Sequence, residues 1–116
     1  NITIEMRNTM EECFVRYALS LLNGKWKLQI IWVITQNKVI RFNEMQRQLD
    51  GISSLMLSKN LQELECDSIV HRRQYNEVPP RVEYSLTELG KALECALFAL
   101  GEWGLKASEM VKKENS

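Results

Sequence analysis

A mostly helical fold carrying one small β-hairpin is what this sequence predicts, on three observations. Apolar residues recur at helical spacing through most of the 116 residues. Two short β-rich runs, "IVHRRQY" and "RVEYSL", are joined only by "NEVPP". After them a helical pattern runs from Thr87 to about Lys113, a rod of about 40 Å.

The elements follow in order. Residues 1–9 read as a flexible arm. A first helix spans 10–22, with Met10, Phe14, Tyr17, Ala18, Leu21 and Leu22 at helical spacing, and Asn23-Gly24 stops it. A second helix, about Lys25–Thr35, is apolar nearly all round (Trp26, Ile30, Ile31, Ile34), which marks a central core helix. "NKVIRF" is a turn and a short extended piece. Asn43 is the expected cap of the next helix, with Gln46 as its reciprocal partner and Met45 and Leu49 on the inner face. Gly51 breaks that helix, and Ser53 is a natural cap for another in which Leu57, Leu61 and Leu64 share one face. Two helices around a tight glycine turn over 43–66 have the layout of a helix-turn-helix. The hairpin of 69–86 follows, and Thr87 caps the last helix, 87–113, whose apolar positions include Leu89, Leu93, Ala96, Leu97, Leu100, Trp103 and Met110. A helix-turn-helix followed directly by a β-hairpin is the layout of a winged helix, here in a single domain.

Composition removes several function classes. The chain is 45% hydrophobic and 26% charged with zero net charge, so any charged surface is a local patch. Cys13, Cys66 and Cys95 are too widely spaced for a zinc module, and with His71 as the only histidine there is little material for catalytic or metal chemistry. No phosphate-cradling glycine motif is present. The expectation is therefore no enzyme, no cofactor and no metal. Residues 1–10 lack an apolar run and cleavage site, and "LQIIWVI" is too short to cross a bilayer, so a cytoplasmic location without membrane contact is expected.

The segments "LLNGKWKLQIIW", "RFNEMQRQL", "GISSLMLSKNLQELE", "EVPPRVEYSLTELG" and "ALFALGEWG" closely resemble the HxlR-type winged helix-turn-helix regulators of bacteria, a group near the MarR-like regulators in fold. The resemblance covers Cys13 to about Gly104, and the run around Pro79-Pro80 is its most specific part. It implies cytoplasmic, homodimeric, DNA-binding transcription regulators. Where many members carry proline after the N-terminal cysteine, this chain has Phe14. Where basic residues are common, it has Leu55 and Asn60, which points to a different operator sequence.

On that reading, the second helix of the helix-turn-helix offers Ser54, Leu55, Ser58, Lys59 and Gln62 to the major groove. Ser58 and Lys59 are the foremost of these; an ordinary solvated helix face is the plain alternative. The wing offers Arg72, Arg73, Asn76 and Arg81 to the phosphates or the minor groove, with Pro79-Pro80 stiffening its tip. From Lys38 to Arg81 seven Lys/Arg oppose six Asp/Glu, so Glu63, Glu65 and Asp67 must turn away from DNA. Lys25 and Arg41 are weaker phosphate candidates. The final helix has too much apolar surface for one domain, which suggests a homodimer joined through Phe14, Tyr17, Leu93, Leu97, Leu100 and Trp103 and set on palindromic double-stranded DNA. The resemblance also implies that Cys13 could sense oxidants or electrophiles, although "MEECFVRY" sets two glutamates before it and these disfavour a thiolate. Cys66 and Cys95 read as packing residues. Repression is favoured over activation. A winged-helix protein–protein adaptor that never reads bases is the rival.

Overall fold

The computed structural model describes residues 13–115. The expected arm 1–9 and the start of the first helix, including Met10, lie outside them. Helix α1 (13–21) ends ahead of Asn23-Gly24. Next come α2 (Lys27–Asn37), β1 (Val39–Ile40), α3 (Phe42–Gln48), α4 (Ser54–Cys66), β2 (Val70–Tyr75), β3 (Arg81–Leu86), α5 (Glu88–Lys91) and α6 (Glu94–Glu114). The fold is mostly helical with a small antiparallel sheet and a long C-terminal helix, the winged helix-turn-helix that the sequence predicts.

The core forms around α2. Ile30, Ile31 and Ile34 are fully buried, and Met45 of α3, Leu57 and Leu64 of α4, and Leu97 of α6 close on them. Each such side chain contributes about 1.5–3 kcal/mol by leaving water. Lys27 also lies inside, at 7% exposure, on a face that the sequence presents as apolar.

The sheet has three strands in the order β1-β3-β2, not two. The extended piece after α2 pairs through Val39↔Ser85 and Ile40↔Tyr84. β2 and β3 pair from Val70↔Leu86 to Tyr75↔Arg81. Alternation along β3 turns Tyr84 and Leu86 into the core, so the sheet is one wall of the domain as well as a projection from it.

Two helix starts differ from expectation. Helix α3 begins at Phe42 with Arg41 at the cap position in an extended conformation and no side-chain cap, so Asn43 lies inside the first turn. The expected single helix from Thr87 is two pieces. Thr87 caps only α5, and the chain tightens where the Leu93 N–H donates to the Gly90 carbonyl at 3.1 Å, before α6 begins at Glu94. The short α5 is pinned against the sheet. The Thr87 hydroxyl donates to the Ser68 carbonyl at 2.6 Å and accepts from the Gly90 N–H at 3.1 Å. Gly90 is required there because a Cβ would stand 2.3 Å from the Ile69 carbonyl oxygen.

The molecule is elongated, 63 × 44 × 22 Å, with a radius of gyration of 17.5 Å. A compact domain of this length has about 13 Å.

Candidate nucleic-acid interface

The turn between α3 and α4 is built from local chemistry. Gly51 takes φ +88°, a conformation that side chains disfavour. The Gln46 amide, expected to cap its own helix, instead straddles the turn: Nε2 donates to the Ile52 carbonyl at 3.3 Å and Oε1 accepts from the Ser54 hydroxyl at 3.1 Å. Ser53 caps α4 as the sequence predicts, its hydroxyl accepting from the Met56 N–H at 3.1 Å.

Leu57, Leu61 and Leu64 turn inward, as expected. Asn60 joins them at 8% exposure, with Nδ2 bonded to the Met56 carbonyl at 2.8 Å, so its difference from basic family members falls on an inner position. The outer face carries Ser54, Leu55, Lys59 and Gln62, with Ser58 half-buried at its margin. Leu55 is 82% exposed, an unusual place for leucine unless something covers it. Met56, at 42% exposure, adds a second apolar side chain that the sequence reading did not single out.

Glu63 is taken up by the protein. Lys27 Nζ lies 3.0 Å from its carboxylate and ties α2 to α4. The hydrogen bond and positive charge of Lys27 hold the Glu63 carboxyl below its ordinary range, with a smaller contribution from Lys59. A parallel pairing on α3 joins Glu44 to Arg47; this bond, with another from Gln48, lowers the Glu44 carboxyl. Lys25 is exposed over the Trp26 ring, 4.8 Å from its centroid, and Arg41 is exposed ahead of α3.

On the wing, pairing sorts the side chains. Arg73 and Glu83 are opposite one another, as are Tyr75 and Arg81, all on one face. Arg72 alternates to the other face beside Tyr84. Arg81, expected to reach outward, lies back over the Tyr75 ring at 4.0 Å, with Nη2 3.3 Å from Glu77 and Nε 3.4 Å from Glu83. Arg73 stands at 4.5 Å over the same ring. Arg72, Arg73 and Asn76 are exposed, and among the described residues neither Arg72 nor Arg73 has an ion-pair partner.

The remaining expected residues divide. Phe14 (64% exposed), Tyr17, Leu100 and Trp103 (66%) are open to solvent. Leu97 is buried in the chain's own core and Leu93 is half-buried against it, so these two of the expected dimer-interface residues are covered within their own chain. Phe98, absent from that expectation, is 55% exposed and meets Trp32 edge-on at 5.2 Å. Cys13 is exposed, and so are Cys66 and Cys95, which were expected to pack. Among the described residues no group of three or more His, Cys, Asp and Glu is placed to hold a metal, and no helix is long and apolar enough to cross a membrane.

Known proteins share this arrangement. The chain is 48% identical over 90 residues to an HTH-type transcriptional regulator of Halalkalibacterium halodurans, covering 78% of this chain and 80% of that one. It is 42% identical over 106 residues to YybR, an HTH-type transcriptional regulator of Bacillus subtilis, covering 91% and 84%. Among solved structures, the redox regulator HypR in its reduced form superposes with a TM-score of 0.79 at 40% identity, covering 85% of this chain and 97% of HypR. The HxlR-like helix-turn-helix family matches residues 21–112. The chain belongs to that family, whose matching members are DNA-binding transcriptional regulators and not enzymes.

Proposed function

We propose that this regulator acts as a cytoplasmic homodimer that recognises a palindromic operator and represses by occupying it. The single observation that carries the dimer is the set of exposed apolar side chains on α1 and α6: Phe14, Tyr17, Leu100, Trp103, Leu105 and Met110 are each half or more exposed. So much exposed apolar surface marks a partner-binding region, and a second copy presents the same surface in return. Two-fold symmetry then sets two α4 helices about one DNA turn apart, or a multiple of it. Ser54, Leu55, Ser58, Lys59 and Gln62 meet base edges, while Arg72, Arg73 and Asn76 of the wing, with Lys25 and Arg41, meet phosphates.

The test is binding to the DNA upstream of its own gene against scrambled DNA, over a range of salt. Specific binding should exceed scrambled binding, and the logarithm of affinity should fall with that of salt by about 0.9 per phosphate contact. No preference at moderate salt would favour a protein–protein adaptor instead.

A thiol response is supported by one further observation: Cys13 is exposed, so its sulfur is open to solution oxidants. Similar proteins include HypR in its oxidized form, at 44% identity and TM-score 0.75. Cys13→Ser should leave DNA affinity unchanged while removing its loss on diamide treatment. A response that survives the substitution removes Cys13 from this role.

A further inference from the structure

The wing carries two arginines on one tyrosine, and their surroundings differ. Arg81 is committed to the protein: Nη2 faces Glu77 at 3.3 Å, Nε faces Glu83 at 3.4 Å, and the guanidinium lies 4.0 Å over the Tyr75 ring. Its Nε is sealed from solvent without a hydrogen bond, so Glu83 holds it by charge alone. Two carboxylates thus offset one cation, and a phosphate would have to displace them. Arg73 shares the ring at 4.5 Å but is exposed and lacks an ion-pair partner among the described residues. Stacking occupies the face of a guanidinium and leaves its N–H donors, which lie in its plane, free for a phosphate.

We propose that Tyr75 is the positioning residue of the wing: its ring orients Arg73 toward a DNA phosphate, while Arg81 is a strut retained by Glu77 and Glu83 that touches no nucleic acid. This rests on the DNA-binding reading above and assigns its wing contact. Tyr75 is two residues from Arg73 on β2 and directly opposite Arg81 on β3, so one ring meets both guanidiniums. The strut closes the hairpin at its last paired position, beyond which 76–80 form the tip. Glu77 and Glu83 therefore set how many cations the wing offers.

The salt dependence of operator binding tests this, because it counts displaced counterions and not fold stability. Arg73→Ala, which removes one phosphate contact from each of the two protomers, should make the logarithmic slope shallower by about 1.8 and weaken binding to operator and scrambled DNA alike. Arg81→Met should leave the slope unchanged. Tyr75→Ala should copy the Arg73→Ala slope, and Tyr75→Phe, which keeps the ring, should restore the original. The double substitution Glu77→Gln and Glu83→Gln, which keeps the stack, should release Arg81 in both protomers and steepen the slope by about 1.8. The assignment is overturned if Arg81→Met loses that increment while Arg73→Ala does not. An unchanged slope in the double glutamine variant also overturns it, and this arm stands even if Arg81→Met fails to fold. Salt-independent binding by the unsubstituted protein would instead remove the DNA-binding reading itself.

Discussion

The molecule treats its apolar residues in two opposite ways. Around α2 they are enclosed: Ile30, Ile31, Met45, Leu57 and Leu64 have no exposure at all. Along α1 and α6, Phe14, Tyr17, Trp103, Leu105 and Met110 are more than 60% exposed. The difference is that α2 is surrounded by α3, α4, α6 and the sheet, whereas α6 buries only Leu97. The half proposed to read DNA is thus complete within one chain, whereas α6 keeps apolar side chains that its own chain leaves uncovered. Periodicity shows which residues seek burial; it does not show whether the same chain supplies the cover.

The largest effect that separates the two regions is a core deletion. Leu57→Ala should lower the stability of the domain by about 3 kcal/mol, through lost burial and the cavity left behind, as read from the denaturant midpoint. Trp103→Ala removes more atoms, yet in monomer at limiting dilution it should change stability by less than about 0.5 kcal/mol. Equal losses would mean that α6 is packed within its own chain, and the contrast would fail.

The next effect is on association. Leu100→Asp places an unpaired charge in the proposed dimer face and should weaken self-association at least a hundredfold, about 3 kcal/mol, measured by sedimentation. Leu55→Asp is the matched control. Leu55 is even more exposed, but on α4, so this change should leave the dimer intact and reduce operator binding. A dimer that survives Leu100→Asp places the interface elsewhere.

Smaller effects come from the caps that fix where α4 and α5 begin. Ser53→Ala should cost about 1 kcal/mol. Thr87→Ala should cost more, up to about 2 kcal/mol, because that hydroxyl also bonds the Ser68 carbonyl across the strand end. Equal costs would show that the Ser68 bond adds nothing.

These caps also show what the sequence makes legible. Ser53 and Thr87 act on backbone three residues away, so their roles can be read from neighbouring letters. β3 is legible because its alternation and bounding prolines are local. What escapes is set by residues far along the chain. A two-residue β1 exists only because Ser85 and Tyr84 meet it. Lys27 looks like a surface lysine until Glu63 arrives opposite it. Arg81 looks like a free cation because Glu83 and Tyr75 are known as its neighbours only after the strands pair. Leu97 and Trp103 share a helix, and nothing local says that one is covered by α2 and the other is open. Of the candidate interface, the outer face of α4 is the more legible part, since a helical period assigns both faces at once. The wing is less so, since its charges depend on cross-strand register.

The last and smallest effect concerns the join between α2 and α4, Lys27 and Glu63. Lys27 is nearly enclosed while Glu63 is partly open, so the pair is asymmetric: the lysine has little access to water as an alternative. Lys27 depresses the Glu63 carboxyl, so a proton binds it more weakly in the folded state than in the unfolded one. The pair's contribution is therefore fully present above the ordinary carboxylate value of 4.5 and is lost as pH falls through the lower folded value. Glu63→Gln should thus lower the melting temperature near neutral pH, and the gap should close as the solution is acidified below pH 4.5. A gap independent of pH would mean that the carboxylate contributes through shape and not charge. Lys27→Met keeps most of the buried stem and removes the partner charge, so it should flatten the same acid limb, with no further change in the double variant. Because the pair spans α2 and α4, its loss removes one of the ties that set α4 against the core, beside the burial of Leu57, Leu61 and Leu64. Glu63→Gln should therefore reduce the preference for operator over scrambled DNA even at temperatures where the protein stays fully folded.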